Sequence, residues 1–140
     1  MEKIKKNVSV MCFNDELCQV YNAMMTALSL LREGNSVDVF FGSRGINAVH
    51  KEKIKELKCL PDQPPEVGEA ILKKMDEMNL PTAEDLLFFL IAEKARVWAC
   101  PLNKELFDIK MSDFYEGVKV ADPSTYYKEV VMKADMNLTF

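Results

Sequence analysis

The sequence predicts a three-layer α/β fold, with a mostly parallel five-stranded sheet and helices on both faces, in a single domain spanning residues 1–140. Three observations predict it. Five short, β-rich apolar runs are spread along the chain. A stretch of helical spacing or helical composition separates each consecutive pair. The first run is apolar at most positions instead of strictly alternating, as a strand covered on both faces is. Strand, helix, strand at this length forms a βαβ unit, whose strands are parallel and whose crossover is right-handed.

Taken in order, the first strand is NVSVMCF, Asn7–Phe13. Asn14 and Asp15 favour helix caps and stop it. Leu17, Val20, Tyr21, Met24, Leu28 and Leu31 then recur at helical spacing, and Gly34 ends that helix. VDVFF, Val37–Phe41, is the second strand, and the loop FGSRG follows. Gly42, Ser43 and Arg44 in this loop could meet an anion. No GxGxxG or P-loop pattern is present, however, and an ordinary strand-to-helix turn has the same composition. Residues 46–65 are the least regular stretch. Ile46, Val49, Ile54 and Leu57 would line one face of a short helix, and Pro61, Pro64 and Pro65 make a stiff link. The stretch is either an insertion with its own packing or a mobile cover over a site. His50, the single histidine, reads as a surface residue without a partner.

Glu66–Met78 has helical composition, and Asn79–Pro81 breaks it. Thr82 caps the next helix, with Asp85 three residues on completing a short capping box. The centre of that helix, LLFFLIA, is apolar on most sides, which suits a deep core, a subunit contact or a pocket wall. Arg96–Ala99 is the third strand. Lys104–Ile109 and Lys110–Tyr115 read as helical turns, and Val118–Asp122 as the fourth strand. Pro123–Ala134 is a helix with Asp122 as its cap. Met136–Phe140 is the fifth strand.

Composition removes several function classes. Lys plus Arg is 18 against 22 Asp plus Glu, a formal charge of −4, so no nucleic-acid partner held by clustered basic residues is expected. The apolar run Leu86–Ala92 is far shorter than the ~20 residues of a membrane-spanning helix. The start, MEKIKKNVSVM, has no signal-peptide pattern, and a cytoplasmic location is expected. Cys12, Cys18, Cys59 and Cys100 form no CxxC pair, so neither a zinc site nor any other metal or cofactor is expected. In a reducing compartment they would be free thiols, with Cys12 in the sheet core and Cys59 incidental.

The candidate reactive residue is Cys100, in RVWACPLNKELF. Pro101 suits the first position of a helix, since the missing N–H would be unpaired there anyway. Cys100 then precedes the helix, and the backbone N–H groups of Leu102 and Asn103 would point toward its sulfur. A helix N-terminus favours negative charge, and so favours the nucleophilic thiolate. A small buried core cysteine at a strand end is the competing reading. Ligands of open parallel sheets bind beyond the strand C-termini, which places the Phe13–Asp15 turn, the FGSRG loop and Cys100 on one edge. Cys18, in the first turn of the first helix, is a candidate second thiol for Cys100.

The C-terminal half resembles the DsrE/DsrF-like family, and within it the DsrE-like branch that carries a peroxiredoxin label. The strand VWAC, the turn Phe107-Asp108-Ile109, Glu116-Gly117-Val118 and the closing ADMNLTF carry the resemblance. The likeness is weakest over Gly42–Pro65. It implies a small parallel α/β fold, usually a homo-oligomer, that passes sulfur as a cysteine persulfide between donor and acceptor proteins. The sulfur-carrying cysteine of the family matches Cys100. The family often has a polar residue straight after that cysteine, where this chain has Pro101. A non-catalytic oligomeric module binding a small anion or nucleotide is the alternative. A thiol peroxidase would need a Thr and an Arg beside the thiolate, and Arg96 is the upstream arginine.

Overall fold

A computed structural model describes residues 4–140. The sheet has five strands: β1 (Asn7–Cys12), β2 (Ser36–Phe41), β3 (Arg96–Ala99), β4 (Lys119–Val120) and β5 (Met136–Thr139). Their order is β4-β3-β2-β1-β5, and every pairing is parallel. The helices are α1 (Leu17–Arg32), α2 (Pro65–Glu77), α3 (Ala83–Ala92), α4 (Pro101–Leu106) and α5 (Pro123–Glu129). The expected α/β architecture is therefore present, with a sheet that is parallel throughout.

Side chains of a strand alternate between faces, and here the two faces have different covers. Val8, Val10 and Cys12, with Val37, Val39, Phe41, Val97 and Ala99, meet α1 and α3. On α1 the buried stripe is Leu17, Val20, Ala23, Met24, Ala27 and Leu28, at helical spacing. On α3 it is Ala83, Leu86, Leu87 and Leu90, so LLFFLIA is core helix on that side, while Phe88 faces outward. Each buried Leu, Val or Met among them contributes about 1.5–3 kcal/mol by leaving water. The opposite face is thinner. Met11, Phe40 and Cys100 meet Tyr126 and Val130 from α5 and its extension, with Phe13, Trp98 and Val131 at the margin.

The ends of the elements follow their local chemistry. Thr82 and Asp85 form the expected capping box on α3. Asp122 caps α5 by accepting from the Thr125 N–H at 2.8 Å. Gly34, at φ +97°, turns the chain out of α1 in a conformation that side chains disfavour. The cap of α1 is Glu16, one residue beyond the expected Asn14 and Asp15, and its carboxylate accepts from Cys18 N–H at 2.7 Å. Beyond Glu129 the expected long helix breaks into a 3₁₀ turn, Val131–Lys133. The fourth strand shortens to two residues because it pairs only with Trp98 and Ala99.

Residues 46–65 form a packed insertion. Two 3₁₀ turns, Ser43–Val49 and Lys53–Glu56, bury Ile46, Ala48, Val49 and Ile54 against the first core. His50 has a role that the sequence did not announce: its Nδ1 accepts from the N–H groups of Glu52 and Lys53 and closes the second turn. No helix among the described residues is long and apolar enough to cross a membrane.

Candidate functional site

The C-terminal ends of β1, β2 and β3 make one rim. Cys100 leaves β3 still held to it, its N–H bonded to the Phe41 carbonyl at 3.2 Å. Its extended backbone and the following Pro101 make it the N-cap of α4, and its carbonyl accepts the first helical bond from Lys104 N–H at 3.0 Å. Asn103 ties α4 to the loop after β2: its Oδ1 accepts from Ser43 N–H at 2.7 Å. Cys100, Asn103 and the Gly42–Arg44 loop therefore do converge. Ser43 sits at φ +50°, and Arg44 leans toward Asp15 at 3.7 Å. A groove of about 410 Å³ alongside is lined by Asp15, Arg44, Asn47, Lys53, Glu56 and Lys58.

The thiol of Cys100 does not face that groove. Arg96, Trp98 and Cys100 share one side of the strand, and this parity turns the sulfur under α5, among Met11, Phe40, Tyr126 and Val130. Cys100 is 3% exposed. Its side chain accepts no capping hydrogen bond, so the Leu102 and Asn103 N–H groups do not hold the sulfur in this state. The side chain of Asn103 is committed to Ser43 instead. The helix start is where the sequence places it, and the sulfur points away from it.

The topology marks this position. The chain steps from β1 to β2 to β3 to β4 in one direction, with α1 and α3 on the first face. It then returns from β4 to β5 by way of α5, which packs on the second face. The connections leaving β3 and β4 therefore part to opposite sides of the sheet. Such a reversal is where open α/β sheets bind ligands, and Cys100 stands at the end of β3 beside it.

Below Cys100 the second face carries a polar network. Asp38 is a buried carboxylate in β2 and accepts two hydrogen bonds from Arg96, each 2.6 Å, and one from Trp98 Nε1 at 3.0 Å. The Asp38 carboxylate holds the Arg96 guanidinium even more firmly protonated than usual. Arg96 is thus engaged at the far end of β3 and supplies no peroxide-binding cation beside Cys100. Tyr126 Oη pairs with Ser9 Oγ at 2.8 Å, and burial pushes its phenol well above the usual range. A signal existed for this network. A carboxylate inside VDVFF cannot be buried alone, and Asp38 pairs in register with Arg96.

Of the remaining cysteines, Cys12 lies where the sequence reading puts it, and the other two correct that reading. Cys12 is a free thiol in the first core, pushed up to about 11 by burial, with the charge of Asp15 adding. Cys18 and Cys59 are not free: they form a disulfide, with Cα atoms 5.6 Å apart. Cys59 is therefore not incidental, and Cys18 is bonded to it instead of to Cys100. Sequence spacing conceals this pairing, because 41 residues separate the two and only the packing of the insertion over α1 brings them together. Glu16, Cys18 and Cys59 bring three donor atoms within 4.8 Å of one another, but the bonded sulfurs offer no thiolate to a metal in this state.

Comparisons with known proteins bear on the family and the fold. Residues 64–139, more than half of the chain, match the sequence model of the DsrE/DsrF/DrsH-like family. The crystal structure of the YchN protein from E. coli superposes with a TM-score of 0.67 at 18% identity, covering 98% of this chain and 100% of that one. At that identity the likeness concerns the fold. No curated protein sequence matches.

Proposed function

We propose that this chain, which belongs to the DsrE/DsrF/DrsH-like family, is a cytoplasmic sulfur-relay protein that carries sulfur as a persulfide on Cys100. The observation that carries the proposal is the position of Cys100. It is an unbonded cysteine at the end of a central parallel strand, at the cap of a helix, beside the reversal of the sheet and inside the matched region. In the reaction, the deprotonated Cys100 sulfur attacks the outer sulfur of a donor persulfide. The donor S–S bond breaks, the donor leaves as a thiolate, and Cys100 holds the persulfide. An acceptor thiolate then attacks that outer sulfur and restores Cys100. No net oxidation occurs, and no cofactor or metal is required.

The buried sulfur imposes a condition on this chemistry. Tyr126 and Val130 roof it, so transfer requires α5 to lift. That helix is seven residues long and caps only the thin second face, which makes it the easiest part of the cover to open. Helix α4 also bears on partners. Leu102 and Leu106 are 62% and 69% exposed, with Phe107 beside them. An apolar surface next to the carrier cysteine suits a second copy of the chain, in a homo-oligomer, and the docking of donor and acceptor proteins.

The test is to incubate the protein with a persulfide donor and map the adduct by mass spectrometry. One additional sulfur atom on Cys100, absent from Cys100→Ser, is expected. If Cys100 alkylates readily and yet takes up no sulfur, the relay reading fails. One observation favours a second reading, a non-catalytic oligomeric module for a small anion or nucleotide: Arg44, Lys53 and Lys58 line one groove, shared with Asp15 and Glu56. On that reading Cys100→Ser leaves anion binding and cellular role intact.

A further inference from the structure

The relay chemistry does not use the second pair of sulfurs. Cys18 is half-buried in the first turn of α1, and Cys59 is buried in the turn that precedes α2. Around their disulfide, residues 58–60 are strapped to α1. Leu17 N–H donates to the Lys58 carbonyl at 2.9 Å. Leu60 N–H donates to Glu16 Oε2 at 3.2 Å, the same oxygen that accepts from Cys18 N–H. Behind the strap lies α2, whose single fully buried residue is Gly68. A side chain at Gly68 would overlap the Cys59 carbonyl oxygen, so helix and strap are in direct backbone contact. Two cavities lie beside α2. One, about 300 Å³, is walled by Leu17, Leu57, Leu72, Met75 and Pro81. The other, about 350 Å³, is walled by Leu57, Cys59, Leu60, Gly68 and Leu72. The seating of α2 thus runs through the segment that the disulfide fastens.

We propose that Cys18–Cys59 is a thiol–disulfide exchange site for a dithiol reductant, and that its reduction releases α2 and opens the apolar cavity beneath it. A thiolate of the reductant attacks the Cys18 sulfur, the more exposed of the two. The Cys18–Cys59 bond breaks, and its electron pair leaves on Cys59, which takes up a proton. The second thiolate of the reductant then attacks its own sulfur in the mixed disulfide. The reductant leaves as a disulfide, and Cys18 is released as a thiol. The chain gains two electrons and two protons, and the dithiol loses them. An oxidised dithiol partner runs the same steps backward.

The experiment uses the whole chain, native, with and without dithiothreitol, followed by iodoacetamide labelling and hydrogen exchange. Cys18 and Cys59 should resist labelling until dithiothreitol is added and then label without denaturant. Reduction should speed exchange in residues 65–77 at least tenfold, with residues 20–32 of α1 unchanged. Cys59→Ser should show the fast exchange with or without dithiothreitol, and glutathione disulfide should modify its Cys18. Labelling without reductant, a bond that native dithiothreitol leaves closed, or reduction without faster exchange in α2 would each overturn the proposal. If Cys59→Ser does not fold, the two states of the wild type decide it alone.

Discussion

Asp38 sits in a strand whose other inner members are Val37, Val39, Phe40 and Phe41, and it is tolerated there because Arg96 and Trp98 meet its carboxylate. Asp38→Ala leaves the guanidinium and the indole N–H without their acceptor. The expected loss is about 2 kcal/mol, the scale of charged hydrogen bonds, moderated because Arg96 is half-exposed and finds water. Urea denaturation measures it. Val130→Ala should trim the roof over Cys100 and raise its alkylation rate several-fold, read by mass spectrometry. Cys12 sets an alkaline limit. Its folded-state pKa of about 11 lies above the ordinary 9.0, so its stabilisation is complete below pH 9 and is lost as pH rises toward 11. The two-unit difference amounts to about 3 kcal/mol. Tyr126 acts in the same direction from the ordinary tyrosine range upward. Denaturant midpoints at pH 8 and pH 11 should converge in Cys12→Ala relative to the wild type.

At the scale of elements, the caps behave as local chemistry requires. Thr82→Ala removes half of the α3 capping box and should cost about 1 kcal/mol, seen as a lower urea midpoint with unchanged slope. Those elements were legible in the sequence because their signals are local: Thr82 with Asp85, Asp122 before Pro123, the stripe of Leu17, Val20, Met24 and Leu28. The placement of Cys100 before α4 was legible for the same reason. The direction of its sulfur was not. That depends on the parity of β3 within the sheet and on a helix that begins 23 residues later. The partner of Cys18 was hidden likewise, since Cys59 lies beyond the Lys53–Glu56 turn in a segment that takes its shape from what it packs on. Arg96 meeting Asp38 is the intermediate case, visible only once the strand register is known.

For the whole molecule, the strand order and the superposition on YchN agree on one α/β fold, and in this chain α1 and α3 cover one face of the sheet and α5 the thinner other. The exposed apolar side chains of α4, Leu102 and Leu106, are a property at this scale, since they face outward. We expect light scattering to give a mass above the 16.0 kDa of one chain, and Leu102→Lys with Leu106→Lys to return it to that value with the circular dichroism unchanged. A monomeric wild type would remove the assembly reading while leaving the fold as described. The return of the chain to β5 has a further consequence for folding. Strand β1 finds its second neighbour only among residues 136–139, and Ser9 finds Tyr126 more than a hundred residues away. Until residues 123–130 have settled on the sheet, Cys100 therefore lacks the Tyr126 and Val130 that cover its sulfur, and the thiol is shielded only once this late crossover has closed.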